Sequence, residues 1–106
     1  ENDSGTPNFG FLDWNQAQGT AFENLLPGMG NAADENGAGE LHLFNPASTT
    51  YVKHFYSKLS MTQGPAVKAP VIFNAGYINT TTAIDDIQFK MASGNFDGKI
   101  KMWGVK

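Results

Sequence analysis

The first pattern along this chain is an alternation of apolar and polar residues that begins near residue 40. In residues 40–45, Leu41 and Leu43 share one parity, as expected for a half-buried strand. Residues 49–61 are rich in β-branched and aromatic residues and predict a long second strand. The short connection holds the turn-forming pair Asn45-Pro46, which predicts a hairpin. Four residues of the second strand are expected on one face: Tyr51, Phe55, Leu59 and Met61.

Three further segments have the same period, namely residues 71–77, 84–91 and 99–105. The last two are joined by a turn at residues 93–98, whose glycines can adopt positive φ. In the strand predicted at residues 71–77, alternation places four side chains on one face: Val71, Phe73, Ala75 and Tyr77. In residues 84–91 it turns inward Ile87, Phe89 and Met91. In residues 99–105 alternation places Ile100 and Met102 in the core. Three side chains face outward: Lys99, Lys101 and Trp103.

The first 39 residues lack this period. Residues 1–19 predict an extended acidic arm with the aromatic anchors Phe9, Phe11 and Trp14. These aromatics either pack on the domain's own core or reach a neighbouring subunit. Residues 20–26 predict a short strand or a helical turn, and residues 28–39 predict a loop after Pro27-Gly28.

Five or six short strands separated by turns, with no helical period, predict an all-β fold. We expect residues 20–106 to form a single antiparallel β-sandwich of jelly-roll type. Trp103 lies among outward lysines in this arrangement and therefore needs a cover, which the arm or a neighbouring subunit can supply.

The composition narrows the possible functions. The 106 residues include no cysteine, which excludes disulfides, zinc–thiolate sites and cysteine nucleophiles. A small domain without disulfides or zinc–thiolate sites gains stability from oligomerisation or from docking on a larger assembly. No apolar run is long enough for a membrane span, so a membrane is not an expected partner. A nucleic acid is not an expected partner either, because of the charges described next.

The charges are unevenly distributed along the chain. Residues 1–40 carry seven acids and no base, whereas residues 41–106 carry seven lysines and three acids, and arginine is absent. A net charge of −3 lacks the basic excess that nucleic-acid binding needs. The asymmetry predicts either contacts between the acidic arm and the lysine-bearing part or two separately solvated faces.

The chain offers no recognisable catalytic arrangement. Alternation points Asp85 and Asp86 to opposite faces, so they cannot work as a paired general acid and base. Serine-nucleophile, phosphate-loop and dinucleotide motifs are absent. We therefore predict no enzyme activity, no catalytic residues and no cofactor.

Metal binding is also not expected. His42 and His54 lie on neighbouring predicted strands, but only Glu40 is near enough in sequence to be a third ligand. The acidic loop at residues 34–37 has a composition that suits calcium but lacks the ligand spacing of an EF-hand. A calcium ion there is kept as an alternative to a solvated turn.

Three stretches of the chain carry a family resemblance. Residues 39–55 read GELHLFNPASTTYVKHF, residues 75–106 read AGYINTTTAIDDIQFKMASGNFDGKIKMWGVK, and residues 18–22 read QGTAF. They resemble the C-terminal half of uncharacterised virion structural proteins of tailed bacteriophages, especially marine ones. The resemblance implies a further N-terminal half of similar size, so that these residues would be a processed product or the ordered part.

The resemblance implies a virion component without catalytic residues. We expect a capsid decoration (cement) or fibre-type domain on the virion surface, forming a homo-oligomer and contacting other capsid or tail proteins. The expected interface residues are Phe9, Phe11, Trp14, Lys99, Lys101 and Trp103. The alternative is a host-recognition module on a tail or head fibre that binds cell-surface glycan by aromatic stacking, for which the candidates are Trp14, Tyr51, Tyr56, Tyr77 and Trp103.

Overall fold

The computed structural model describes residues 19–64 and 68–105. Their regular structure consists of three strands, β1 (Gly37–Leu43), β2 (Lys53–Met61) and β3 (Val71–Ile78), and these residues contain no helix. The strands form one open antiparallel sheet in the order β1-β2-β3. The predicted all-β class is therefore confirmed, and so is the hairpin of the first two strands.

The β1–β2 hairpin reverses at the Asn45-Pro46 pair that the sequence indicated. Asn45 adopts a φ of 53°, which asparagine tolerates better than most residues. The Asn45 carbonyl oxygen accepts a hydrogen bond from the Ser48 amide at 3.0 Å. The Ser48 hydroxyl oxygen accepts two more, from the amides of Thr50 and Tyr51, at 3.2 and 3.0 Å. These bonds satisfy the backbone while the chain changes direction.

The strand register separates two faces of the sheet. The covered face carries three cross-strand sets, with Lys53 and Met61 at its ends: Leu43–Phe55–Gly76, Leu41–Ser57–Asn74 and Gly39–Leu59–Ile72. The open face carries the alternate residues: Ala38, Glu40 and His42 from β1, His54, Tyr56, Lys58 and Ser60 from β2, and Val71, Phe73, Ala75 and Tyr77 from β3.

Residues 25–30 lie against the covered face. The Asn74 side-chain amide donates to the Leu25 carbonyl oxygen at 3.5 Å and to the Ser57 hydroxyl oxygen at 3.3 Å. Ser57 is fully buried, so this bond satisfies a polar group that burial would otherwise penalise. The buried hydrophobic residues of the described chain are Met61 and Ile72, 3% and 7% exposed.

Two glycines allow the chain to pack closely at the covered face. A Cβ atom on Gly39 would overlap the Lys58 carbonyl oxygen and lie 2.6 Å from Leu59 Cα. Gly76 lies opposite Phe55, whose ring carbons would be 3.0 Å from a Cβ there. The Phe55 ring therefore occupies the space that a side chain on β3 would take.

The predicted faces of the strands hold in part. Leu41 and Leu43 share the covered face, as do Phe55, Leu59 and Met61, whereas Tyr51 precedes β2 and is exposed. The four residues of β3 predicted to share a face do so, but on the open face, while Ile72 is buried. At each end of β3, the residues that point to the two faces are both apolar or aromatic. The pattern of β3 alone therefore does not predict which face is covered.

The largest correction concerns residues 84–105, the C-terminal segment. The strands predicted at residues 84–91 and 99–105 are wrong, because neither stretch pairs with a strand in the described chain. The side chains expected in the core are exposed instead, among them Ile87, Phe89, Ile100 and Met102. Alternation makes a segment suitable for a sheet, but only a hydrogen-bonded neighbour makes it a strand.

Two further expectations concern the rest of the fold. Residues 20–26 form neither a strand nor a helical turn. The sheet of the described residues has a single layer, so the predicted jelly-roll sandwich is not formed there. The predicted arm falls, except for residue 19, on residues 1–18, which lie outside the described residues.

Candidate interaction surface

An aromatic strip runs across the open face. The rings of His42 and Tyr56 lie opposite each other in the β1–β2 register and stack with centroids 4.6 Å apart and planes inclined by 10°. Phe44, which follows β1, packs against Tyr56 at 5.9 Å. His54 and Tyr77 form the same kind of contact between β2 and β3, also at 5.9 Å. We define the aromatic strip as these five residues together with Phe73.

The strip carries few charges. Glu40 and Lys58 face each other across the β1–β2 register. The Lys58 ammonium lies 5.7 Å from the centroid of the Phe73 ring, within the range of a cation–π contact. A Glu40 carboxylate oxygen lies 3.6 Å from His42 Nε2. These groups are exposed and screened by solvent, so they orient a partner more than they hold the sheet together.

The strip is suited to contact rather than to reaction. Exposed aromatic rings on a sheet can stack on a flat apolar partner or bury themselves against another protein. Among residues 19–64 and 68–105, no three His, Cys, Asp or Glu side chains lie close enough together to hold a metal ion. His42 and His54 do lie on the same face, as their parity allows, but each makes a ring contact with a tyrosine.

The acidic loop considered for calcium has an internal structure of its own. A Glu35 carboxylate oxygen accepts the Ala32 amide at 2.6 Å, and the Glu35 amide donates to the Ala32 carbonyl oxygen at 3.0 Å. The same carboxylate occupies the position that a side chain on Gly30 would need. Glu35 therefore closes the loop before β1, and the loop keeps its shape through this carboxylate.

The buried lysine at the start of β2 was missed by the sequence reasoning. Lys53 is 0% exposed, and its Nζ donates to the carbonyl oxygens of Thr80 and Thr82 at 3.1 and 2.7 Å. Lys53 is two residues before Phe55, so alternation places both side chains on the same, covered face. A lysine in an alternating strand is nevertheless normally assigned to the solvent side. Lys53 holds the chain that leaves β3 against the end of the sheet.

The residues predicted to form an interface are not gathered at one place. Lys99, Lys101 and Trp103 lie on the exposed C-terminal segment, and Trp103 is 74% exposed. Phe9, Phe11 and Trp14 lie outside the described residues. In the described chain, no ring contact joins Trp103 to the aromatic strip. Of the glycan candidates, Tyr56 and Tyr77 belong to the strip, whereas Tyr51 lies apart from the sheet.

Comparison with known proteins gives no significant match among protein-family models, curated proteins or solved structures. A search of the described residues for a helix able to cross a membrane also finds none.

Proposed function

We propose that this chain is a structural protein of a tailed-bacteriophage particle, a decoration (cement) or fibre-type domain on the outer surface that acts through protein–protein contacts. The kind of particle is suggested by the resemblance of residues 39–55 and 75–106 to virion proteins. The mode of action is supported by the surface of the chain.

The observation that carries the proposal is the exposure of apolar residues. The described chain buries only two hydrophobic residues, whereas fifteen large hydrophobic side chains are exposed. Soluble monomers rarely expose contiguous apolar patches beyond a few hundred Å², and larger ones mark contact sites. With so small a core among its described residues, the chain gains stability from what it binds.

The geometry of the sheet supports the same conclusion. A single-layer sheet has two faces, and stability requires an apolar face to pack on another layer. Here residues 25–30 cover part of one face, and the aromatic strip lies on the other. In the proposed assembly a neighbouring subunit packs on the aromatic strip as the second layer.

Electron cryomicroscopy of the intact particle tests this proposal. The three-stranded sheet and its hairpin at Asn45-Pro46 should fit density at repeated positions on the shell or along a fibre. Mass spectrometry of the same purified particles should detect peptides of the chain. If the particles contain no such peptides at a sensitivity that detects the minor tail proteins, the proposal is wrong.

A second function is favoured by the aromatic strip alone. Tyr56 and Tyr77 present rings on one face of a cysteine-free sheet, and such rings can stack on the apolar faces of sugar rings. In this alternative the chain recognises a host glycan from the tip of a tail or head fibre. Density confined to such a tip would favour this alternative over a decoration role.

A glycan array of the full chain tests the alternative directly. Tyr56→Ala and Tyr77→Ala should each abolish binding, because each removes one stacking surface. The matched control is Tyr51→Ala, since Tyr51 is an exposed tyrosine that lies off the strip. If no glycan binds, or if all three variants bind like the wild type, the strip is not a sugar site.

A further inference from the structure

The strand register divides the open face into four cross-strand rows. Successive rows are two residues apart along the strands, which is about 6.8 Å. From one end of the sheet to the other, the rows are Ala38–Ser60–Val71, Glu40–Lys58–Phe73, His42–Tyr56–Ala75 and Phe44–His54–Tyr77. Every residue of these rows is exposed in the described chain, so the rows form one continuous surface.

Large and small side chains have complementary places in these rows. Phe73, which is 71% exposed, is followed two residues later by Ala75. Ala38 stands at one end of the face, and Phe44, 49% exposed, stands at the other. A half-turn about an axis that runs across the strands, between the second and third rows, exchanges these positions.

In a pair of copies related by this half-turn, each ring meets a methyl group. Phe73 lies opposite the partner's Ala75, and Ala38 lies opposite the partner's Phe44. Facing sheets pack well when their side chains interdigitate, with large residues opposite small ones. The face is therefore complementary in shape to a second copy of itself.

The charges of the face fit the same half-turn. Glu40 and Lys58 lie side by side in the second row. The half-turn places Glu40 opposite the partner's His42. It places the Lys58 ammonium opposite the partner's Tyr56 ring, where a cation–π contact is favourable. The second rows of the two copies are offset by one row, so neither charged residue lies opposite its own counterpart.

We propose that the open faces of two copies of this chain pack on each other about this two-fold axis. This inference rests on the proposed function and deepens it, because it names the neighbouring subunit and its orientation. The contact is isologous and closes as a dimer, with the strands of the two sheets aligned within about 30°. The ring of Tyr77 contacts His54 within its own chain, and the pairing does not require it to be free.

Two other half-turns fit the face less well. An axis along β2 places Lys58 against the partner's Lys58, and opposed like charges disfavour association. An axis along the strands between β1 and β2 pairs Glu40 with the partner's Lys58 but leaves β3 outside the contact. Phe73 and Val71, 71% and 53% exposed, would then stay in water. The axis across the strands covers all three strands and separates the like charges.

The size of the face limits the strength of the contact. Three strands and four rows give a face about 15 Å wide and about 25 Å long. Two such faces bury an area at the low end for specific interfaces, below about 1,200 Å². We therefore expect a dissociation constant of about 1 µM or weaker. A weak contact of this kind becomes effective where many copies are held together in an assembly.

A size swap at Phe73 and Ala75 tests the axis. By sedimentation equilibrium of the full chain, Phe73→Ala should raise the dissociation constant about tenfold or more, since a ring no longer becomes buried. Ala75→Phe alone should also weaken the dimer, because two rings then compete for one place. The double variant should recover most of the affinity, because the half-turn again sets a ring opposite a methyl group.

The matched control is Phe96→Ala. Phe96 is an exposed phenylalanine, 44% accessible, that lies off the sheet, so its loss should leave the dissociation constant unchanged. Circular dichroism checks that each variant keeps the sheet. The proposal is overturned if the wild-type chain associates more weakly than about 1 mM. Equal association of Phe73→Ala and wild type, or a double variant no tighter than its two parents, would also overturn it.

Cross-linking of mixed single-cysteine chains identifies the axis independently, because the chain has no cysteine of its own. A short bis-maleimide should join chains with Ala38→Cys to chains with Phe44→Cys, since these positions face each other. Chains with Ala38→Cys and chains with Ser60→Cys should give at least about tenfold less product, because three rows, or about 20 Å, separate them. The reverse ratio would assign an axis along the strands and contradict the proposal.

These results separate the inference from the proposed function. A chain found in the particle whose size swap fails keeps its structural role and loses this contact. A chain that passes the size swap and the cross-linking but is absent from the particle keeps the contact and loses the virion role.

Discussion

The side-chain nitrogen of Lys53 lies 2.7 Å from the carbonyl oxygen of Thr82, at a position where the lysine has no exposed surface. A second bond of 3.1 Å to the Thr80 carbonyl oxygen completes the arrangement. No carboxylate of the described chain forms an ion pair with this ammonium. The lysine is therefore satisfied by backbone dipoles, and it fixes the direction in which the C-terminal segment leaves the sheet.

Lys53→Met should destabilise the fold. The methionine keeps much of the apolar stem but leaves two carbonyl oxygens without their donor, which costs about 1–3 kcal/mol. Urea denaturation followed by the circular dichroism of the sheet measures the loss. The control is Lys58→Met, since Lys58 is exposed on the same strand and should change stability by less than about 0.5 kcal/mol. Equal stability of the two variants would show that the bonds to Thr80 and Thr82 contribute nothing net.

Gly39→Ala should destabilise the hairpin because the added methyl group meets backbone atoms. It would overlap the Lys58 carbonyl oxygen and approach Leu59 Cα, and neither can move without disturbing β2. The expected cost is about 1–3 kcal/mol, as for other overpacked sites. Gly104→Ala is the matched control, because nothing lies within 4 Å of its Cβ position. Thermal melts that coincide for both variants would contradict the close approach of β1 and β2.

Trp103→Ala should weaken association and leave the fold of the isolated chain intact. Tryptophan is enriched among interface hot spots, whose loss costs about 2 kcal/mol or more, so the dissociation constant should rise by about 30-fold or more. Sedimentation equilibrium measures the constant, and circular dichroism checks the sheet. A variant that assembles and melts like the wild type would remove Trp103 from the interface.

Association should weaken as salt rises if the acidic arm meets a lysine-bearing neighbour. Residues 1–40 carry seven acids and no base, whereas all the lysines follow. The Debye length falls from about 10 Å at 0.1 M salt to about 3 Å at 1 M, so charge pairing between subunits is progressively screened. Titration of the oligomer between these salt concentrations tests the idea. An unchanged dissociation constant would mean that the arm and the lysines do not meet.

The sequence by itself determined the class of the fold and the approximate positions of the three strands, although β1 begins at Gly37, inside the stretch predicted as a loop, and β2 begins at Lys53, four residues later than predicted. Its alternation also determined the faces of β1 and β2, because Leu41, Leu43, Phe55 and Leu59 are separated by polar neighbours. The turn at Asn45 followed from local chemistry, since asparagine tolerates positive φ. These features depend on residues close in sequence, and local patterns report them well.

The tertiary structure decided the features that depend on contacts between residues distant in sequence. The face of β3 was set by register, because Gly76 must lie opposite the Phe55 ring, whereas its own apolar residues occur on both parities. Lys53 is the most buried lysine of the described residues only because two carbonyl oxygens, those of Thr80 and Thr82, accept its hydrogen bonds. Residues 99–105 have the alternation of a strand but are not one in this chain, since a strand exists only where a neighbour supplies hydrogen bonds. A single sequence specifies its own alternation, but the partner for that alternation is decided in three dimensions.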